Sequence, residues 1–268
     1  GGFAGWMVNG NVTKSFANSA VTETSASGTN GAGGFVGHFR NGTITESRSA
    51  GAVTGFGMVG GFVGYAEYGS GTISKSYATG AVLQQATSAL GSSSGVGGFA
   101  GFVHTNFTGT ISDVYAMGSV TGTDRVGGLV GYAGKGTITD GFATGVIQGN
   151  RSGSALGGVF GLVNTTLVNG IPPVNQSRLY FDSTSTGLNS DGAGGVGLGL
   201  TTDSLKGILP TGFSVSTWAT APGLYPYLSN FFPVTPHSIT GIARMSNGNI
   251  AVNAQVAHLP HTDRSVVL

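Results

Sequence analysis

Residues Gly60–Val82 read GGFVGYAEYGSGTISKSYATGAV, and the organisation of the chain follows from how often this stretch recurs. Gly-Gly pairs begin at Gly1, Gly33, Gly60, Gly97, Gly127 and Gly157, in steps of 32, 27, 37, 30 and 30 residues, giving five close copies and a degenerate sixth. A period in this range belongs to a solenoid, propeller or array, in which each unit buries its neighbours' faces. An eleven-residue block closes each copy: Asn11–Val21, Thr43–Val53, Thr72–Val82, Thr110–Val120 and Thr137–Ile147. All length variation falls outside these blocks. Constant blocks read as strands stacked in register, and variable spacers as corner loops.

The columns of the block carry the fold. Its second residue is Val12, Ile44, Ile73, Ile111 or Ile138, an aliphatic column that points inward. Its fourth is Lys14, Glu46, Lys75, Asp113 or Asp140, which must face water because unpaired charge is costly to bury. Its sixth is Phe16, Arg48, Tyr77, Tyr115 or Phe142. Arg48 among aromatics marks an outward, half-exposed column in which a guanidinium stacks on rings above and below. The seventh is small (Ala17, Ser49, Ala78, Ala116, Ala143), and the eleventh is Val or Ile. The alternation of period 2 holds from the fourth to the seventh residue but breaks between the second and fourth, which places a corner at the third or fourth. Glycine, 51 of 268 residues, is expected to give positive-φ bends and close approach at the Gly-Gly pairs and at Gly51, Gly80, Gly118 and Gly145. The fold class is therefore all-β: a parallel β-solenoid (β-helix) of about six coils with a C-terminal capping segment.

Composition narrows the function classes. Charged residues are 8% and the net charge is +1, so there is no electrostatic footprint for nucleic acid or an anionic membrane. No run of 18 apolar residues predicts a membrane-spanning helix. The absence of Cys removes disulfides and thiolate chemistry. Residue 1 already lies inside a repeat, which suggests a fragment of a longer protein. The solenoid is assigned to residues 1–182, with Pro172 and Pro173 marking an irregular last coil. Residues 183–232 read as an irregular capping segment. It contains a wrap over 183–217, a short helix over Asp203–Leu209 capped by Thr201 or Thr202, and Trp218 with Leu224–Leu228 (LYPYL) over the open end of the solenoid. Residues 233–268 read as a linker at Pro233 and Pro236, followed by a further β module or tail; Ile239–Val256 there predicts a hairpin around Asn247–Gly248.

The pattern GGFVGxxxxGTIxxSYATGxV, carried by Gly60–Val82 and again by Gly127–Ile147, resembles the GLUG repeat of bacterial surface proteins. The tail, YFDSTSTG through LPTGFSVSTW to GLYPYL, is similar to the segment closing such arrays in filamentous-haemagglutinin-type adhesins of the two-partner secretion route. The resemblance covers about residues 1–230 and departs at Arg48 and Pro172–Pro173. It implies an extracellular or cell-surface passenger with an outer-membrane secretion partner.

Five chemistries can be weighed against plain structure. Asp113 and Asp140 stand in one column on adjacent coils, close enough in principle to share a proton or hold Ca²⁺; the structural alternative is a solvated face shared with Lys14 and Lys75. Of His38, His104, His237, His258 and His261, only the last two are closely spaced, in a polar tail. The glycine-rich GGFVG and GVGLGL lack the following helix that a phosphate loop needs. Thr-x-Thr columns (Asn11/Thr13, Thr43/Thr45, Thr72/Ser74, Thr110/Ser112, Thr137/Thr139) resemble, in that one feature, an ice-binding surface. The column Phe16, Arg48, Tyr77, Tyr115 and Phe142 offers surface stacking for a sugar or partner, against an internal aromatic ladder. The resulting expectation is a non-catalytic structural and adhesive segment that uses no cofactor or metal. Its partners would be host-cell, glycan or matrix surfaces, with the loops Thr22–Ala32 and Leu83–Val96 as contact regions. The alternatives are a polysaccharide-acting β-helix enzyme and an ice-binding solenoid.

Overall fold

The computed structural model describes residues 1–25, 30–86, 94–150, 152–167, 169–170, 172–232 and 234–236. The hairpin expected around Asn247–Gly248, the tail histidines His237, His258 and His261, and the middles of the two long loops lie outside the described residues. The chain divides into the units Gly1–Thr235 and Pro236–Leu268.

Gly1–Thr235 is an all-β parallel solenoid. A complete coil has four strands, shown by Met58–Gly60, Val63–Ala66, Thr72–Ala78 and Val82–Gln84. Among the described residues, equivalent strands pair in parallel along four faces of five, six, seven and five strands in the main order, the third face carrying one short branch. The register is that of the sequence columns: Val12, Ile44, Ile73, Ile111 and Ile138 are successive Cα partners. The four isoleucines are fully buried and Val12 packs against the same core. Met58 pairs with Gly31 on one side and Gly95 on the other, so repeat steps of 27 and 37 residues produce one register. Most of the extra residues fall between the fourth and first faces, and the rest between the second and third.

Two cores run the length of the stack. One lies between the second and third faces (Phe62, Val63 and Ala66 against Ile73 and Ala78), and the other between the first and fourth (Val59 against Val82). Inside the first, Phe35, Phe62 and Phe99 stack nearly parallel, and the exposed Phe3 extends the row, with ring centroids 4.6–4.8 Å apart, within the range favourable for aromatic pairs. Beyond Phe99 the same position is Leu129 and then Val159, both buried.

The GGFVG motif is explained by backbone contact. A Cβ on Gly64 would lie 2.5 Å from the Ala32 nitrogen of the first face in the preceding coil, and one on Gly101 would lie 2.5 Å from the Val59 nitrogen. A Cβ on Gly60 or Gly61 would fall onto the carbonyl oxygen of Val63 or Gly98. None of the Gly-Gly residues, nor Gly51, Gly80, Gly118 or Gly145, has φ in the left-handed region. The expected positive-φ role is therefore corrected: these glycines are required by close approach alone. The left-handed conformation falls on the fourth block residue, with φ of 48° at Lys14, 51° at Glu46, 46° at Lys75, 52° at Asp113 and 56° at Asp140. This bend flips the alternation and brings the second and fifth residues to buried positions. Serine repairs the backbone there. Ser76 Oγ donates to the Ser74 carbonyl (2.7 Å) and accepts from the Ser47 N–H (3.2 Å), and Ser47 serves Thr45 and Ser15 in the same way.

Residues 183–232 depart from the sequence expectation. The last coil keeps a nine-residue third-face strand, Val174–Asp182, after Pro173. The helix is Thr202–Leu205, shorter than expected, with the Thr201 hydroxyl accepting from Ser204 N–H. The open end is covered not by Trp218 and LYPYL but by residues 188–197, where Leu188 packs on both cores. Along the stack the N–H groups of Phe62 and Val63 share the Phe99 carbonyl, and those of Leu129 and Val130 share that of Val159. At the end, Val159 and Phe160 N–H instead share Asp191 Oδ1 (2.9 and 2.7 Å), so a carboxylate replaces the missing carbonyl. Gln176, in register with Ile138, bonds Gly194 O and Val196 N–H of the same segment.

The glycine contacts contain an internal control. Gly5 occupies the same motif position as Gly64 but has open space around its Cβ direction. Gly64→Ala is expected to lower stability by at least about 1–3 kcal/mol, the usual cost of overpacking, while Gly5→Ala stays within about 0.5 kcal/mol. Paired denaturant melts check this, and equal losses would contradict the contact argument.

Candidate functional site: the covered flank and its open cleft

The sixth-column residues stand outward on the third face, in register from Phe16 and Arg48 through Tyr77 and Tyr115 to Phe142 and Tyr180. They are not a uniformly half-exposed column. Tyr77, Tyr115, Phe142 and Tyr180 are buried in a third cluster with Leu205, Phe213, Trp218 and Leu228. Residues 201–232 form a strap across this flank, which is where Trp218 and LYPYL go. The Trp218 ring lies 6.0 Å from Tyr115 and 5.9 Å from Phe142, and stacks on Phe213 at 4.6 Å. Tyr77 and Tyr115 stack at 4.6 Å. The aromatic ladder is thus an internal docking rail over most of its length.

One of the two carboxylates considered for catalysis latches the strap, and the other ties the last coil to its neighbour. Asp113 Oδ1 accepts from the Trp218 indole N–H (2.9 Å). Burial raises the Asp113 pKa, with the indole hydrogen bond opposing it. Asp140 is held bidentately by Arg178 of the last coil, at 2.5 and 2.7 Å. Arg178 itself has a φ of 51° and continues the charged column. Asp182 is the deepest latch: it is fully buried, its Oδ1 accepts from Thr184 and Ser185 N–H, and its Oδ2 accepts from Thr202 Oγ1 and Tyr225 Oη. Burial alone would raise its pKa, but these four hydrogen bonds outweigh it and hold the carboxyl below its ordinary value. Sequence reading did not single out Asp182; the Asp-Ser-Thr-Ser cap was its only local signal.

The strap ends at Asn230 and Phe231, with the Phe231 ring edge-on to Tyr77 at 4.8 Å. Beyond it, Phe16 is 61% exposed and Arg48 half-buried. There the surface opens into a cleft of about 370 Å³ lined by Lys14, Ser15, Phe16, Glu46, Arg48, Asn230 and Phe231. The Arg48 guanidinium stands 5.5 Å over the Phe16 ring and donates to Tyr77 Oη at 3.2 Å. Lys14 and Glu46 approach to 3.8 Å, with the lysine side chain 79% exposed.

The other sequence candidates fall elsewhere. His38 lies on the second face, its Nε2 accepting from Gly31 N–H (3.0 Å) and its Nδ1 2.7 Å from Glu67 Oε1. A second outward row, unread in the sequence, runs Trp6, His38, Tyr65, Phe102 and Tyr132. The Thr-x-Thr columns are in register, but from Thr43 onward their members are half-buried and Thr139 is buried.

The repeat unit built by these coils has a counterpart among protein families. A model of the GLUG motif matches residues 57–83. The GLUG match spans one coil, from the strand before its Gly-Gly pair to the fourth-face strand. No curated protein and no solved structure matches the chain.

The latch predicts an acid response. A depressed folded pKa means Asp182 stabilises the strap above the unfolded carboxyl value of about 3.9, and this contribution is lost as pH falls through the folded value. Asp113, with a raised pKa, changes in the opposite sense and softens the loss. Asp182→Asn is expected to cost about 1–3 kcal/mol at pH 7 and to flatten the loss of stability below about pH 4. In a Trp6→Phe background, Trp218 emission reports the strap: it should redden in Asp182→Asn and, for the parent, on acidification. An unchanged acid profile in the variant would refute the latch.

Proposed function

We propose that this protein is a non-catalytic structural and adhesive segment of a secreted or cell-surface bacterial adhesin, exported with an outer-membrane secretion partner. The observation that supports this most is the register. Repeats of unequal length keep one strand register, with the length differences confined to the connections between faces. Such a stack can hold diverse loops and clefts at fixed separations, which is what projecting contact surfaces from a cell requires. The engagement of Asp113 by Trp218 and of Asp140 by Arg178 gives both carboxylates structural work, which supports the non-catalytic reading over a polysaccharide-acting enzyme.

The test is the whole chain on glycan and matrix-protein arrays, alongside hydrolase and lyase assays on polysaccharides. Saturable binding to a surface glycan or matrix protein without turnover is expected. Turnover abolished by Asp113→Asn or Asp140→Asn would replace the adhesive reading with the enzymatic one.

A further inference from the structure

The cleft beyond the strap has the composition of a site for one particular kind of ligand. Its wall is Phe16, the one ring of the third-face column that is largely exposed. Its rim carries two cations, Lys14 and Arg48, one carboxylate, Glu46, and the Asn230 amide. Its volume of about 370 Å³ lies at the small end of the range for small-molecule sites. A pyranose ring has an apolar C–H face that packs on an aromatic ring and a rim of hydroxyls that need hydrogen-bond partners. Glu46 and Asn230 supply acceptors for hydroxyls. An anionic group on the ligand would meet the excess of cations, with Arg48 able to present a paired donor edge to a carboxylate. Glu46 at the same time disfavours a polyanion such as nucleic acid, whose phosphates it would repel.

Resting on the adhesive reading and deepening it, the geometry points to a binding site for an acidic sugar, a hexuronate-type residue of a surface polysaccharide. Its ring face lies on Phe16, its carboxylate on Arg48 and Lys14, and its hydroxyls on Glu46 and Asn230. The strap takes part by bringing Asn230 and Phe231 to the cleft, so the site exists only where the strap ends.

The experiment titrates the intact chain with tri-galacturonate, neutral maltotriose and tri-glutamate, read by calorimetry and by backbone amide shifts. Tri-galacturonate should bind saturably and about tenfold more tightly than maltotriose, a difference of about 1.4 kcal/mol. Phe16→Ala should weaken tri-galacturonate about tenfold or more with the melting temperature unchanged, since the ring is exposed. Arg48→Gln should abolish the preference for the acidic sugar; Lys14→Gln, at an exposed position, should reduce it without touching the Arg48–Tyr77 contact. The inference is overturned by no saturation up to ~10 mM, by tri-glutamate binding as well as tri-galacturonate, or by indifference to Phe16→Ala. Array binding that survives Phe16→Ala, with no uronate response, would reject this cleft and leave the adhesive reading standing. Uronate binding at the cleft with no array binding by the intact chain would do the reverse.

Discussion

Backbone packed on backbone, with no side chain between, is the constraint from which the rest of this structure follows. Stacked sheets normally sit about 10 Å apart because side chains fill the gap. Here Gly64 and its equivalents Gly37, Gly101, Gly131 and Gly161 on the second face abut backbone of neighbouring strands, and the Gly-Gly pairs abut carbonyls of their own and the next coil. The coil is narrow as a result, and each core is only one or two side chains deep. That leaves little room for error in volume. The seventh block position must be small because it passes beneath the second glycine of the pair: Ala78 Cβ is 3.1 Å from where a Gly61 Cβ would stand. In the last coil this rule is relaxed, and Phe181 packs against Gly158 where alanine stands in coils below.

A stack of this kind generates problems at its margins that a globular domain does not have. Each coil leaves a row of unpaired backbone groups for the next, and an unprotected edge is a template for association. At the C-terminal end the chain reproduces the missing coil piecemeal. Asp191 supplies an oxygen where the next carbonyl would be, Ser190 O receives the Gly158 N–H, and Ala193 O receives that of Val163. Burying a carboxylate for this purpose is unfavourable, and burial does raise the Asp191 pKa against the N–H groups that hold it. On the flank, the rail of stacked rings is large and apolar, and the strap covers it with rings of its own.

The repeat columns were legible because period, register and burial are all encoded in residues that recur at fixed spacing. An isoleucine column flanked by charge cannot be placed any other way. What remained hidden depended on single, unrepeated residues. That Asp182 gathers Thr202 and Tyr225 follows from chain paths twenty and forty-three residues long, and no local pattern specifies those paths. The location of Trp218 failed for a related reason: its apolar surface called for a cover, but solenoids offer two uncovered surfaces, end and flank. The end has backbone groups to satisfy and took a glycine-rich segment carrying Asp191. The flank has rings to bury and took the tryptophan. The role of glycine was misplaced because composition cannot separate a need for positive φ from a need for empty space. Within the eleven-residue blocks the positive φ fell to Lys, Glu and Asp residues, whose side chains must leave the coil at the bend.

The same contrast accounts for where the open site lies. Arg48 interrupts the rail between Phe16 and Tyr77, and a guanidinium bonded to Tyr77 Oη cannot be roofed by apolar residues without losing water from its remaining N–H groups. Phe231 is accordingly the strap ring set edge-on to Tyr77, the last ring before the arginine. One polar residue in an aromatic column thus sets both the length of the covered flank and the start of the exposed one. Phe16, isolated beyond it, keeps a largely exposed ring beside the Arg48 guanidinium. A site defined by where a structural element must stop needs no dedicated loop. It arises in a repeat array wherever a column changes character.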